Sequence, residues 1–320
     1  MKFISYAQNY EDVMLHRALK GVEHGFYVDV GANDPFGDSV TKAFYDRGWR
    51  GINVEPVEFW FRRLEEERPE DINLQLVVDA EGDREVTFYE VVETGLSTLD
   101  PSAIEEHLSS EDQEIRRHVL RSRSLSQILA EHGRAAIHFL KIDVEGAEQA
   151  VISGLDLKRF RPWIIVVEAT RPNTQVECYE AWESLITSGR YHFTYFDGIN
   201  RFYVADEHAG LDAAFSAPPN VFDNFVRVNE DYLEHRSEWL EREVAQRDDE
   251  IARRDDEIAR LDEQIVELSE KIRQRDNEIA SLLCQLGNTS AELANVYASR
   301  SWRVTAPVRW VTSLGRSLKE

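Results

Sequence analysis

The sequence predicts an α/β protein: a doubly wound, Rossmann-like sheet with an antiparallel edge hairpin, followed by a long parallel coiled-coil helix. Three observations carry this reading. Up to about Val228, short apolar runs ended by glycine, proline or an acid alternate with amphipathic stretches, the pattern of strands and crossover helices. Two β-rich halves flank Asp197–Gly198 within YHFTYFDGINRFYVAD (191–206), a hairpin signal. Beyond about Ser237 the unit RDDEIAR returns at seven-residue spacing. The expected organisation is an α/β domain over 1–228, a coiled coil over 237–299 and a basic amphipathic tail over 300–320.

The elements follow in order. FYVDVG (26–31) is a short apolar run closed by glycine, as a buried parallel strand is. A helix is expected from about Ser39, with Val40, Ala43 and Phe44 on one face. GINVEP (51–56) is a second strand, stopped by Pro56, and INLQLVVDA (72–80) a third. VTFYEVV (86–92) reads as an antiparallel excursion. HFLKIDVEG (138–146) is a further strand, followed by a helical AEQAVISGL. The continuous apolar run of WIIVVEAT (163–170) predicts burial on both faces.

Composition narrows the class of function. The 320 residues carry 60 acids against 37 Lys and Arg, a formal net charge of −23. Phosphate backbones are bound by Lys and Arg, so nucleic acid is excluded as a general partner. The two cysteines, Cys178 and Cys284, lie far apart and form no disulfide framework. MKFISYAQNYEDVML at the start lacks the apolar core of a signal peptide, and no apolar run is long enough to span a bilayer. A cytoplasmic protein is therefore expected.

Acidic and polar residues recur at the predicted strand ends: Asp29 and Asn33, Glu55, Asp79, Asp143 and Glu145, Glu168. Doubly wound sheets bind ligands outside the carboxyl ends of their strands, so the set is expected to line one polar cleft. The turn after the first strand, GANDPFG (31–37), lacks the second glycine of the dinucleotide pattern, and Asp29 would repel a pyrophosphate. Glu55, closing the second strand, is placed to accept hydrogen bonds from ribose hydroxyls. A nucleoside that carries an amino acid instead of phosphates suits both ends, and S-adenosyl-L-methionine is such a cofactor.

The segments SYAQNYEDVML (5–15), FYVDVGANDPFGDSVTKAFYDRGWRGINVEP (26–56), FLKIDVEGAEQAVISGL (139–155) and FDGINRFYV (196–204) resemble the FkbM family of S-adenosylmethionine-dependent methyltransferases. The resemblance implies O-methylation, often of a sugar hydroxyl, in natural-product or surface-polysaccharide biosynthesis. It implies that Asp29, Gly31 and Asn33 line the methionine end of the cofactor, that Glu55 holds the ribose and that Asp79 lies near the adenine. Gln8, Glu11 and Asp12 would belong to a segment closing over the pocket. Asp143 and Glu145 would face the transferring methyl group or the acceptor, with Glu168 at the edge of the same cleft. A hydroxyl acceptor needs a base, and Asp143 is the first choice, Glu168 the next. No metal is assigned, and the loop TGLSTLDPS (94–102) is expected to face the acceptor. The rival readings are a catalytically silent coiled-coil scaffold of a glycan-assembly complex, and a methyltransferase acting on a lipid or small metabolite.

In the helical segment Val244, Ile251, Ile258, Ile265, Ile272, Ile279, Leu286 and Leu293 fall at strict sevens, with Leu240, Leu261, Leu268 and Leu282 at the matching d positions. Ile at a with Leu at d favours two parallel strands, so a homodimer is expected. Arg247, Arg254 and Arg275 also occupy d and weaken the seam locally. A helix from Ser237 to Val296 would be about 90 Å long. The tail reverses the charge: Arg300, Arg303, Arg309, Arg316 and Lys319 oppose Glu320, with Trp302 and Trp310 among Val304, Val308, Val311, Leu314 and Leu318. This composition suits peripheral contact with an anionic membrane. SWRVTAPVRW also resembles tails of bacterial polysaccharide-assembly enzymes.

Overall fold

The computed structural model describes residues 2–92, 97–99, 114–171 and 174–310. The chain divides into two compact units, Met1–His235 and Arg236–Glu320. The first unit is built on a seven-stranded sheet and two small ones. Its strands, in chain order, are β1 (Phe3–Ser5), β2 (Phe26–Val30), β3 (Arg50–Val54), β4 (Ile72–Leu74), β5 (Val77–Val78), β6 (Glu85–Val91), β7 (Ile115–Arg123), β8 (Phe139–Ile142), β9 (Ile164–Glu168), β10 (Tyr191–Phe196), β11 (Asn200–Ala205) and β12 (Phe225–Arg227). The helices are α1 (Glu11–Ala18), α2 (Lys42–Asp46), α3 (Glu58–Glu67), α4 (Leu125–His132), α5 (Glu148–Ser153), α6 (Glu183–Ser188), α7 (Val228–Ala298) and α8 (Arg300–Val304).

The large sheet runs β10-β11-β9-β8-β2-β3-β4. Its five strands from β9 to β4 are parallel, and the β10–β11 hairpin joins antiparallel against β9. Strand order reverses between β2 and β8, which makes their carboxyl ends the switch point of a doubly wound sheet. Phe26, Val28, Val30, Ile52, Leu140, Ile142 and Ile165 fill one face against α4, α5 and α6, while Tyr27, Phe139, Ile164, Val166 and Phe202 fill the other against α1 and α2. Alternation along fully buried strands feeds both layers, and this is why the strands read as unbroken apolar runs.

Several elements differ from the sequence expectation. The run 72–80 is two strands, because Val77 and Val78 leave the large sheet to pair with β7, Val77 packing with Val57 and Phe88 and Val78 with the main core. The excursion at 86–92 is real: β6 pairs antiparallel with β7, which the sequence did not suggest because IRRHVLRSR is strongly basic. The helix expected from Ser39 begins at Lys42. Ser39 and Thr41 instead hydrogen-bond the buried Arg68, which also takes the carbonyl of Pro35. β1 and β12, three residues each, pair in parallel, so the segment leading to α1 is zipped to the one leading into α7.

In the second unit α7 continues as one uninterrupted helix to Ala298, and Ser299 caps α8 through Trp302 N–H at 3.2 Å. Ile251, Ile258, Ile265, Ile272 and Ile279 are each more than half exposed along it. Among the described residues, no helix is long and apolar enough to cross a membrane. Most of the expected acceptor-facing loop 94–102 and the tail from residue 311 lie outside the described residues.

Candidate active site

At the switch point the chain turns away from β2 through Gly31, at φ +81°, and a Cβ there would lie 1.8 Å from the carbonyl oxygen of Asp143. Only glycine fits both the left-handed conformation and this closeness, so the lone glycine of VDVGAND is set by the approach of two strand ends. The next turn is tied down by Glu55 at the end of β3. Its carboxylate accepts from Asn33 N–H and from Val57 N–H, each at 2.8 Å. Burial pushes the Glu55 carboxyl up to about 7, although both backbone donors oppose the shift.

These strand ends open into a cavity of about 610 Å³. One end is apolar, walled by Val57, Trp60, Val77, Val78, Phe88 and Leu99, with Glu55 beside it. The other is acidic. Asp143 and Glu145 follow β8, Glu168 ends β9, and carboxylate oxygens from all three lie within 4.8 Å of one another. Burial, then Asp143 and Glu145, raise the Glu168 carboxyl to about 11, while burial, then Asp143 and Glu148, raise Glu145 to about 8. Glu148 secures the loop between them by accepting from Gly146 N–H at 3.0 Å. Among the described residues, buried Asn33 Oδ1 and Glu145 Oε2 have no hydrogen-bond donor.

Of the residues singled out in the sequence, Gln8, Gly31, Asn33, Glu55, Asp143, Glu145 and Glu168 come together on this cavity wall, and Glu11 joins them. Asp12, Asp29 and Asp79 lie off it. Asp12 accepts from Ser5 Oγ (2.7 Å) and Tyr6 N–H (2.8 Å) and so anchors β1 to α1. Asp29 accepts from Thr41 Oγ1 at 2.8 Å beneath the turn. Asp79 pairs with Arg84, whose Nε is 2.8 Å away. Glu11 is fixed by Asn200 Nδ2 at 2.8 Å and by Asn9 N–H at 2.9 Å, and burial followed by Asp197 raises it to about 8. It thereby joins the N-terminal segment to the β10–β11 turn at the mouth of the cavity.

Sequence reasoning missed Lys141, the one Lys or Arg among the residues that line the cavity. Its Nζ lies 3.2 Å from Asp143 Oδ2 and 3.5 Å from Asp29 Oδ1, and it donates to Gly31 O at 3.1 Å. The signal was present in KIDVEGAE, where Lys141 stands two residues before Asp143 on a strand and so shares its face. The apolar wall supplied by Trp60 and Phe88 was also missed, because Phe88 reaches the cavity from the small sheet.

A parallel sheet with its cavity at the switch point, entered by a single-glycine turn and an acid-ended second strand, defines a Rossmann-like ligand-binding enzyme domain. Residues 29–207, more than half of the chain, match the methyltransferase FkbM domain, and the chain belongs to that family of methyltransferases. Comparison with curated proteins returns no match.

Proposed function

We propose that this methyltransferase takes its methyl group from S-adenosyl-L-methionine and transfers it to a hydroxyl of a sugar, in a surface polysaccharide or glycolipid. The observation that carries the reading is the two-ended cavity: an apolar end beside Glu55, and an acid end where Asp143, Glu145 and Glu168 converge. The residues present fit the cofactor. Asn33 Oδ1 is a buried acceptor that lacks a donor, beside Gly31, as an ammonium of the amino-acid portion requires. Glu55 retains lone pairs beyond its two backbone donors, for ribose hydroxyls. Val57, Trp60, Val77 and Phe88 offer an apolar slot for a purine.

When bound, the cofactor supplies an electrophilic sulfonium methyl group. The chain's own part is to orient the acceptor and take its proton. Gln8, Thr174, Gln175 and Asn200 line the cavity with neutral donors and acceptors, a set suited to a polyol. Asp143 is assigned as the base: its carboxylate would take the proton of the acceptor hydroxyl as that oxygen gains the methyl group and the carbon–sulfur bond of the sulfonium breaks. Titration calorimetry with S-adenosyl-L-methionine, followed by methyl transfer to neutral glycan acceptors, tests this. Cofactor binding without any methylated product from glycan, lipid or small-molecule acceptors would favour a silent scaffold, and no binding would refute the reading.

The exposed a and d residues of α7 are proposed to pair with a second copy of the chain in a parallel coiled coil. For the segment after it, contact with an anionic membrane is proposed. Val304, Val308 and Trp310 are exposed there among Arg300, Arg303 and Arg309. Loss of binding to anionic vesicles on deletion of residues 300–320 is the expected result; unchanged binding would refute the contact.

A further inference from the structure

Lys141 is placed by strand register. β2 and β8 pair with Asp29 opposite Lys141, which brings an acid and a base 112 residues apart onto one face of the sheet. Alternation along β8 then sets Asp143 on the same face as Lys141. Three oxygens surround the ammonium: it donates to Gly31 O and forms ion pairs with Asp143 Oδ2 at 3.2 Å and Asp29 Oδ1 at 3.5 Å. Asp29 is braced from behind by Thr41 Oγ1, which accepts from the fully buried Arg68 at 2.7 Å. The flexible lysine stem is thus fixed at its tip.

Of the three carboxylates at the acid end, only Asp143 pairs with this ammonium. Glu145 Oε2 has no donor, and Glu168 shares a side-chain hydrogen bond with Asp143. We infer that Lys141 is a positioning residue that selects the base: its ammonium, held by Asp29 and the Gly31 carbonyl, pairs with Asp143 and aims that carboxylate, and neither glutamate, at the acceptor. This rests on the proposed reaction, in which the acceptor proton passes to Asp143.

The surroundings agree. Among the described residues, the titratable groups that bear most on Lys141 and Asp143 are acids: Asp29 on β2, Glu55 after β3, Glu11 on α1, Glu145 and Glu148 around the β8 turn, and Glu168 on β9. Burial alone would strip Lys141 of its proton, but Asp143 and Asp29 outweigh it and hold the lysine charged. Burial and the neighbouring acids push the Glu145 and Glu168 carboxyls upward, so both hold their protons more readily than an exposed carboxyl does.

Two measurements test this on Lys141→Met, Lys141→Arg and Asp143→Asn. In cofactor-free protein, the carboxyl carbon of Asp143 is followed by ¹³C NMR against pH; in Lys141→Met its midpoint should rise by about one pH unit or more. The acid limb of kcat should move upward by the same amount, so that turnover on that limb falls about tenfold and recovers as pH rises, while acceptor KM changes little. Lys141→Arg should keep both midpoints in place. If Lys141→Met does not fold, because Asp29 is left as a lone buried charge, Asp29→Asn/Lys141→Met removes that charge and the same shifts are read. Unshifted midpoints alongside an inactive Asp143→Asn overturn the role of Lys141 and leave the methyltransferase reading intact. A fully active Asp143→Asn overturns both this role and the assignment of the base.

Discussion

Gly31 and Glu55 together build the turn that faces the ligand, and each makes a demand that can be measured. Gly31→Ala must place a methyl group 1.8 Å from a backbone oxygen in a conformation that L-residues avoid. The left-handed penalty and the overpacking together amount to about 2–5 kcal/mol. A urea midpoint lowered accordingly is expected, and a midpoint equal to wild type would mean that the strand ends are further apart than described. Glu55→Gln keeps the shape, but only one end of the amide accepts hydrogen bonds, so either Asn33 N–H or Val57 N–H loses its partner. Loss of a charged acceptor should cost cofactor affinity about 1.5–3 kcal/mol by calorimetry. Equal affinity would remove Glu55 from the cofactor's contacts. These residues were legible in the sequence because an acid or a glycine ending an apolar run has few structural uses. Asp29 and Asp79 carried the same mark, yet the structure uses them to hold Thr41 and Lys141, and Arg84; Asp12, which the resemblance alone picked out, holds Ser5 and Tyr6. Which acid faces the ligand depends on cross-strand register, as between Asp29 and Lys141, and no local pattern encodes it.

The elements divide in the same way. β2, β8 and β9 were legible because burial on both faces writes an apolar run into the sequence. β1, β7 and β12 were not, since two are three residues long and the third is Arg-rich. The helix α7 is the opposite case, a seven-residue period sustained through a single element. Its intrahelical ion pairs, Arg247–Glu243, Arg254–Glu250 and Lys271–Glu267, contribute about 0.3–0.5 kcal/mol each. That is too little to compensate a helix for leaving its isoleucines in water, which argues for a second copy. The polar d positions point to alignment in parallel: Arg247, Arg254 and Arg275 are each followed by an aspartate at e, namely Asp248, Asp255 and Asp276. In the parallel dimer proposed above, each arginine at d would pack beside an aspartate at e of the second copy. Ile258→Asp with Ile265→Asp should therefore convert the protein to a monomer in sedimentation equilibrium. A persisting dimer would place the contact between copies elsewhere.

For the molecule as a whole, the buried acids dominate the response to pH. Burial raises Asp12 to about 6, Glu55 to about 7, and Glu11 and Glu145 to about 8. A carboxyl whose folded pKa exceeds its unfolded value binds more protons in the native state. Its contribution is fully present below the unfolded pKa of about 4 and is lost as pH rises through the folded one. On the acid side the limit is set by buried histidine. Burial lowers His138, whose Nδ1 accepts from Phe26 N–H at 2.9 Å, so its protonation breaks that bond. Stability is therefore expected to peak on the mildly acid side and to fall steadily from about pH 6 to pH 8.5. The net charge of −23 would by itself give a slope of the same sign, through repulsion that grows as the remaining acids ionise. Salt separates the two causes, because it screens exposed charges and leaves buried carboxyls nearly untouched. Melting temperatures recorded across that range, at low salt and at about 0.5 M, should fall with rising pH in both series. A slope that vanishes in salt would assign the effect to surface repulsion, and a melting temperature that rises with pH would mean that the buried acids are ionised and compensated in the native protein.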